Sequence, residues 1–371
     1  MIKQVTFMQK LLAFLKKEAV LSIAGLAALL SVFFVPVDAG YLAYIDFGTL
    51  ATLTALMLVV AGLTQAGVFR LLADRITGRM SSPRGIILML VLLCFFLSAL
   101  ITNDVALITF VPFTIGLLDT KDQRRLIVVI VAETVAANLG SLLTPMGNPQ
   151  NLLLYNHFGY SVVDFLLTML PLGGVSLVLC LALVFLCPKG SAIMQSDSTT
   201  VLDRKNAIRW SILFLLCVCG VAGLIEWWFF LPLVALAVVL TNPQLFRDVD
   251  YSLLLTFVFF FIFVGNMARI EPVSAFLRDL LTGREVLVGA LTSQVISNVP
   301  AAAMLASFTE DARGLLYGVN IGGLGTIIAS MASLISYRRY CAAEGAEKGR
   351  YMLVFSVVNV VGLIALLVIF A

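Results

Sequence analysis

Long apolar blocks that break in the middle limit what this chain can fold into. Residues 85–118, 126–155, 286–309 and 314–337 are each apolar on both sides of a short interruption. The most elaborate, ANLGSLLTPMGNPQNLLLY at 137–155, places Gly140, Pro145, Gly147, Pro149 and three asparagines between apolar flanks. Further apolar blocks run near 19–36, 47–68, 163–187, 210–225, 228–241, 252–268 and 351–370. The 371 residues are 61% hydrophobic and 12% charged, whereas soluble domains are roughly 45–50% apolar and about 25% charged. The chain therefore reads as an all-α polytopic membrane protein. Non-helical backbone inside the hydrocarbon must be buried in protein or line a cavity.

Basic residues set the expected orientation. They gather at Lys3, Lys10, Lys16 and Lys17, at Arg70, Arg75, Arg79 and Arg84, and at Lys121, Arg124 and Arg125. Further groups are Lys189, Arg204, Lys205 and Arg209, then Arg247, and then Arg338, Arg339, Lys348 and Arg350. The positive-inside rule makes these segments cytoplasmic, the N-terminus included. Block 85–118 then has both flanks on one side, is too long for one span of roughly 20 residues, and breaks at Thr102-Asn103-Asp104. It reads as a re-entrant helical hairpin. Block 286–309 breaks at Ser297-Asn298-Val299-Pro300 between Glu285 and Glu310-Asp311, and reads as a second hairpin open to the outside.

The two halves resemble each other. ITNDVALITFVPF (101–113) aligns on ISNVPAAAMLASF (296–308), and NLGSLLTPMGNPQNLLLY (138–155) on NIGGLGTIIASMASLISY (320–337). The second alignment pairs Asn138 with Asn320, Gly140 with Gly322, Thr144 with Thr326 and Tyr155 with Tyr337. Counting spans, with a turn at Glu226, gives the halves opposite orientations. The expected plan is an amphipathic segment at 1–18, a first repeat at 19–187, a cytoplasmic linker at 188–209, a connecting helix at 210–225 and an inverted repeat at 226–371. That makes about nine spans plus two hairpins. Inverted repeats with broken helices meeting near the midplane are the architecture of secondary transporters.

A helix unwound at that depth exposes opposed half-helix ends and free carbonyls, which attract an anion or a dehydrated cation. Asn, Ser and Thr supply donors and acceptors without a buried charge. The expected binding residues are Thr102, Asn103, Asp104, Asn138, Ser141, Thr144, Gly147, Asn148, Asn151, Ser297, Asn298, Asn320, Thr326 and Ser330. Asp104, an intramembrane acid, is either the coupling-ion carrier or a helix cap. Glu133 is a proton relay or lies at the mouth of a cytoplasmic vestibule. His157 is expected in an outer surface loop, and Arg269 at the outer interface, where it would anchor the chain or meet an anion.

At these residues the sequence resembles the ion transporter superfamily, in the branch of citrate transporter-like proteins, arsenite permeases and sodium/proton antiporters. More distantly it is similar to the divalent-anion/sodium symporters. Thr102-Asn103-Asp104-Val105-Ala106, Asn138-Leu139-Gly140-Ser141, Thr144-Pro145-Met146-Gly147-Asn148-Pro149 and Ser297-Asn298-Val299-Pro300 carry the likeness. It implies two inverted repeats, each with a hairpin and a broken helix, and elevator-type alternating access. The distant symporters use Ser-Asn-Thr at both tips for sodium and carboxylate. Tips of Thr-Asn-Asp and Ser-Asn-Val do not carry that stoichiometry or a dicarboxylate substrate over to this chain.

The expected function is secondary active transport of a small anion or oxyanion, coupled to sodium or protons. Arsenite or antimonite efflux and sodium/proton antiport are the alternatives. The expected setting is the cell inner (plasma) membrane, as a homodimer, with no cofactor and no nucleic-acid partner. An intramembrane hydrolase would need a Ser–His, Ser–Lys, paired Asp or HExxH constellation, and a nucleotide-driven pump a GxxxxGK[ST] loop; the sequence has none. Its six cysteines lack metal-site spacing, so no metal centre is expected. In a cysteine-free background, single cysteines at Ser82 and Asp122 should react with an impermeant maleimide only from the cytoplasmic side, and ones at Glu285 and Glu310 only from outside.

Overall fold

In the computed structural model, residues 18–79, 82–118, 122–187 and 202–371 are described; the expected N-terminal amphipathic segment and most of the 188–209 linker lie outside them. Helices begin where a side chain accepts an otherwise orphan N–H. Asp46 accepts from Thr49, Asp122 from Arg125, Ser161 from Asp164, Asp203 from Asn206, Asp250 from Leu253 and Asp311 from Gly314.

The first half runs α1 (Ala19–Ser31), α2 (Gly40–Tyr44), α3 (Phe47–Gln65), α4 (Val68–Thr77), α5 (Pro83–Ile101), α6 (Asn103–Leu117), α7 (Gln123–Gly140), α8 (Pro149–His157) and α9 (Val162–Leu186). After α10 (Arg204–Val221), the second half runs α11 (Trp227–Thr241), α12 (Tyr251–Ala268), α13 (Glu271–Leu281), α14 (Glu285–Ile296), α15 (Asn298–Leu305), α16 (Ala312–Ile321), α17 (Met331–Cys341) and α18 (Lys348–Phe370). Among the described residues there is no strand, and six helices are long and apolar enough to cross a membrane. The protein is a multi-pass membrane protein. The nine spans expected besides the two hairpins would need shorter apolar helices such as Ala19–Ser31 and Trp227–Thr241 to cross as well.

Each half follows the same order: a long helix, an amphipathic helix, a helix pair joined at one residue, a broken helix, and a long final helix. The amphipathic pieces correct the sequence reading. Residues 69–84 were expected as a basic loop, yet 68–77 form α4, because Phe69, Ala73 and Thr77 recur at one-turn spacing and bury one face. Gly67, at φ 80°, turns the chain out of α3 into α4. Ser82 and Pro83 start α5 ahead of the apolar block, so this arm is 19 residues long and its partner α6 is 15.

Packing repeats between the halves as well. Helix α5 packs on α7 as α14 packs on α16, α6 on α17 as α15 on α8, and α1 on α12 as α11 on α3. Small residues bring the axes together. A Cβ on Gly140 would stand 1.9 Å from the Phe95 carbonyl oxygen, and one on Gly318 2.6 Å from that of Val286. The Trp210 indole of α10 lies over Gly62 of α3. Glu285, expected as a solvated flank, is buried and accepts a hydrogen bond from Thr309 at 3.0 Å, whereas Glu310 is exposed.

These contacts give a paired prediction. Gly140→Ala drives a methyl into the α5 backbone and should destabilise the protein by about 3 kcal/mol or abolish folding. Gly174→Ala, with nothing within 4 Å of the new methyl, should be neutral or stabilise by up to about 1 kcal/mol. Thermal unfolding in detergent reads both.

Candidate substrate and ion site

The two helix pairs turn at Thr102 (φ 75°) and Ser297 (φ 76°), the only non-glycine residues of positive φ among those described. A bulky residue there is strained, and such strain concentrates at functional sites. The residues just past each turn bond alike. Asn103 N–H donates to Gly147 O at 3.2 Å, and Asn298 N–H to Ala329 O at 2.9 Å. The Asn103 Oδ1 accepts from Asp104 N–H at 3.0 Å, and the Asn298 Oδ1 from Val299 N–H at 2.9 Å. Thr144 donates its hydroxyl to Ala99 O, and Thr326 donates to Gln294 O at 3.1 Å. Each tip is thereby tied to the break of its own half. Gly147 is required by crowding, since a Cβ there would stand 2.1 Å from Ser141 O.

Between the breaks lies a buried cluster of amides and hydroxyls. Asn138 accepts from Asn103 Nδ2 at 3.1 Å and from Ser330 Oγ at 2.9 Å, and donates to Ser333 Oγ at 3.1 Å. Asn148 donates to Ser141 Oγ at 3.0 Å and across to Asn320 Oδ1 at 3.1 Å. Asn320 donates back to Asn151 Oδ1 at 2.7 Å and to Leu316 O at 2.9 Å. The crossings come in matched pairs: Ser330 meets Asn138 as Asn148 meets Asn320, and Asn138 meets Ser333 as Asn320 meets Asn151. Asn148 also caps α8 through Asn151 N–H at 2.9 Å.

Asp104 stands apart from the cluster. It is half-buried and lines a cavity of about 580 Å³ together with Thr102, Gln65, Asp248, Asp250 and Arg339, against apolar walls from Leu53, Met57 and Met146. A smaller cavity of about 190 Å³ holds the counterpart positions of the other half, with Asp46, Leu153, His157 and Ala303.

Several expected site residues sit elsewhere. Thr326 is exposed, and its hydroxyl is committed to an arm of the helix pair. Glu133 is fully buried, accepts from the Thr114 hydroxyl and lines neither of these cavities. His157 ends α8 with its ring nitrogen 3.1 Å from Ala306 O, tethered rather than loose in a loop. Arg269 is engaged by Asp38 at 2.8 Å and by the Tyr44 hydroxyl at 3.0 Å, and its guanidinium holds the Asp38 carboxyl below the usual carboxylate range. Ser333 of the cluster and Gln294 beside the second break were missed. Ser333 was legible as the position aligned with Asn151, while Gln294 had no signal beyond being polar in an apolar arm.

The chain matches the citrate transporter family over residues 8–314. It belongs to that family. It is 34% identical over 314 residues to the inner membrane protein YbiR of Escherichia coli (strain K12), covering 82% of this chain and 83% of that protein. It is likewise 34% identical over 300 residues to the uncharacterized transporter MJ0456 of Methanocaldococcus jannaschii, covering 77% and 79%. A shorter likeness, 34% over 152 residues, links it to the silicon efflux transporter LSI3 of Oryza sativa, covering 40% of this chain and 30% of that protein. This citrate transporter family member is a membrane transporter, not an enzyme.

In the cluster, Asn320→Ala leaves Asn151 Oδ1 without its donor and takes one of two acceptors from Asn148 Nδ2. It should lower stability by about 1–3 kcal/mol for each group left unpaired. Thr326→Val, on the exposed side, should change it by less than about 1 kcal/mol. Denaturant or thermal unfolding of the solubilised protein separates the two.

Proposed function

We propose that this protein is a secondary active transporter for a small, weakly charged oxyacid or its anion, with coupling through Asp104. In this reading its halves are inverted repeats. The helix pairs α5–α6 and α14–α15 are re-entrant hairpins, and they ride with the two broken helices as an elevator against α1, α3, α11 and α12. The matched contacts of the tips, breaks and crossing amides support the repeat. Opposite orientation of the halves follows from the basic segments. A homodimer in the inner membrane with a cytoplasmic N-terminus completes the proposal.

The observation that carries this reading is the placement of Asp104. A titratable carboxyl follows the strained Thr102 turn and opens onto the larger of the two cavities. Its counterpart in the other half is Val299, so only one tip can carry a charge. Three carboxyl groups and one guanidinium line that cavity. Such a balance disfavours a polyanion and suits a small oxyacid of low charge. The family's name points to citrate and the rice relative's name to silicon; the charge of the cavity is closer to the second.

Asp104→Asn tests the reading, because Asn caps a helix about as well as Asp but cannot titrate. In proteoliposomes the mutant should still exchange cargo but no longer concentrate it, and its pH dependence should flatten across the range in which the wild type responds. Full concentrative transport with unchanged ion dependence would remove Asp104 from coupling. Asn103→Ala and Asn298→Ala should each abolish uptake while the protein still reaches the membrane.

A further inference from the structure

The two cavities are built from matched positions, yet one holds about 580 Å³ and the other about 190 Å³. Leu153 and His157 of α8 line the smaller one, and Ile335 and Arg339 of α17, which stand in register with them, line the larger. Asp46 caps α3 by accepting from Thr49 N–H at 2.9 Å and lines the smaller cavity. Asp250 caps α12 by accepting from Leu253 N–H at 2.9 Å and lines the larger. Counted from those two caps, Val60 and Ala61 of the larger cavity fall on Val264 and Gly265 of the smaller. One design is present in an open and in a shut form.

Helix packing shows what the difference consists of. In the shut form α8 packs on α3 and α15 on α12. The corresponding pairs around the larger cavity are α17 with α12 and α6 with α3, and neither has a contact of similar extent among the described residues. The end of α8 is also tied to the start of α3. Asn156 Nδ2 donates to the Thr49 hydroxyl at 2.7 Å, and that hydroxyl donates to Asp46. The counterparts of Asn156 and His157 are Arg338 and Arg339, both exposed at the end of α17.

At the open mouth the charges stand unmatched. The Arg339 guanidinium makes no hydrogen bond or ion pair among the described residues, although three carboxyl groups line the same cavity. Asp248 is held by Gln65 Nε2 at 2.9 Å. Asp104 belongs to the same group of helices as α17 in the proposed elevator and keeps its distance when that group moves. Asp250 uses one oxygen to cap α12 and has the other free among the described residues. It stands where Asp46 stands in the shut form, and Arg339 stands where His157 stands.

We infer that Arg339 and Asp250 are the latch of the cytoplasmic mouth, apart while the larger cavity is open and joined as an ion pair when it shuts. A guanidinium reaches a carboxylate through a planar fork of donors, so the pair fixes direction as well as distance. A contact made in only one of two states shifts the balance toward that state by its whole strength. Breaking the pair should therefore leave the protein less often open to the outside. The inference rests on the reading of the halves as inverted repeats that exchange access.

The test uses the cysteine-free, full-length protein in right-side-out membrane vesicles. Leu153→Cys is buried in the smaller cavity and meets an impermeant maleimide from outside only when that cavity opens, so its labelling rate counts visits to the other state. Asp250→Asn keeps the cap of α12, because Asn caps about as well as Asp, and removes the charge. Arg339→Gln removes the opposite charge. Each should slow labelling roughly twofold to fivefold, the span expected of a solvent-accessible ion pair. The two together should slow it no further than either alone, because both remove the same contact. Unchanged rates in both single variants, or effects that multiply, would overturn the latch. If a variant does not fold, salt decides: about 1 M choline chloride screens beyond about 3 Å and should slow the parent, and a parent indifferent to it would overturn the latch too. Uncoupled variants of a protein that takes up silicic acid, arsenite or citrate would remove the latch and leave the transporter. Coupled variants of a protein that moves none of the three would remove the transporter reading and leave the latch.

Discussion

Buried backbone groups without water must find partners inside the protein, and at two places in this chain the helix itself cannot supply them. Much of the site can be traced to that requirement. At each break a threonine hydroxyl, an amide side chain and a tip N–H take over the bonding that helical turns would have provided. The same groups fix where the tips lie, and the tips fix where Asp104 opens. A polar centre in a protein this apolar is the counterpart of its unwound segments.

The halves are alike in backbone but not in charge. Aspartate follows one turn and valine the other; arginine lines one cavity where histidine lines its counterpart. The cavities also differ in size, about 580 Å³ beside Asp104 and about 190 Å³ beside His157. The matched helices supply two cavities with corresponding linings, and of the two tips only the one beside Asp104 carries an acid.

Much of this was legible in the sequence because burial in lipid leaves a coarse signature. Apolar blocks located most helices, and Pro145, Gly147 and Pro149 located a break. The alignment of Asn138 with Asn320 pointed to the residues that meet at the centre. What alignment could not give was direction. Thr326 is the counterpart of Thr144 and bonds the matching arm carbonyl, yet it is exposed where Thr144 is half-buried. Glu133 lies one turn before Asn138 but points at Thr114. Amphipathic α4 hid behind its arginines, because Phe69 and Ala73 are too few to stand out in so apolar a chain. Gln294 was invisible for a related reason: one polar residue has no period, and its worth depends on carbonyls some thirty positions away in the chain.

The crossing amides also bear on how the protein is made. Asn138 and Asn148 leave the ribosome long before Ser330, Ser333 and Asn320, the groups that satisfy them. Until those groups are made, the two amides have only the partners of their own half, Asn103 and Ser141. The centre can close only after α16 and α17 are inserted. A chain truncated before that point would keep its apolar helices and lack the lock that joins them, which gives the membrane's quality-control proteases a chemical means of telling a finished molecule from an unfinished one.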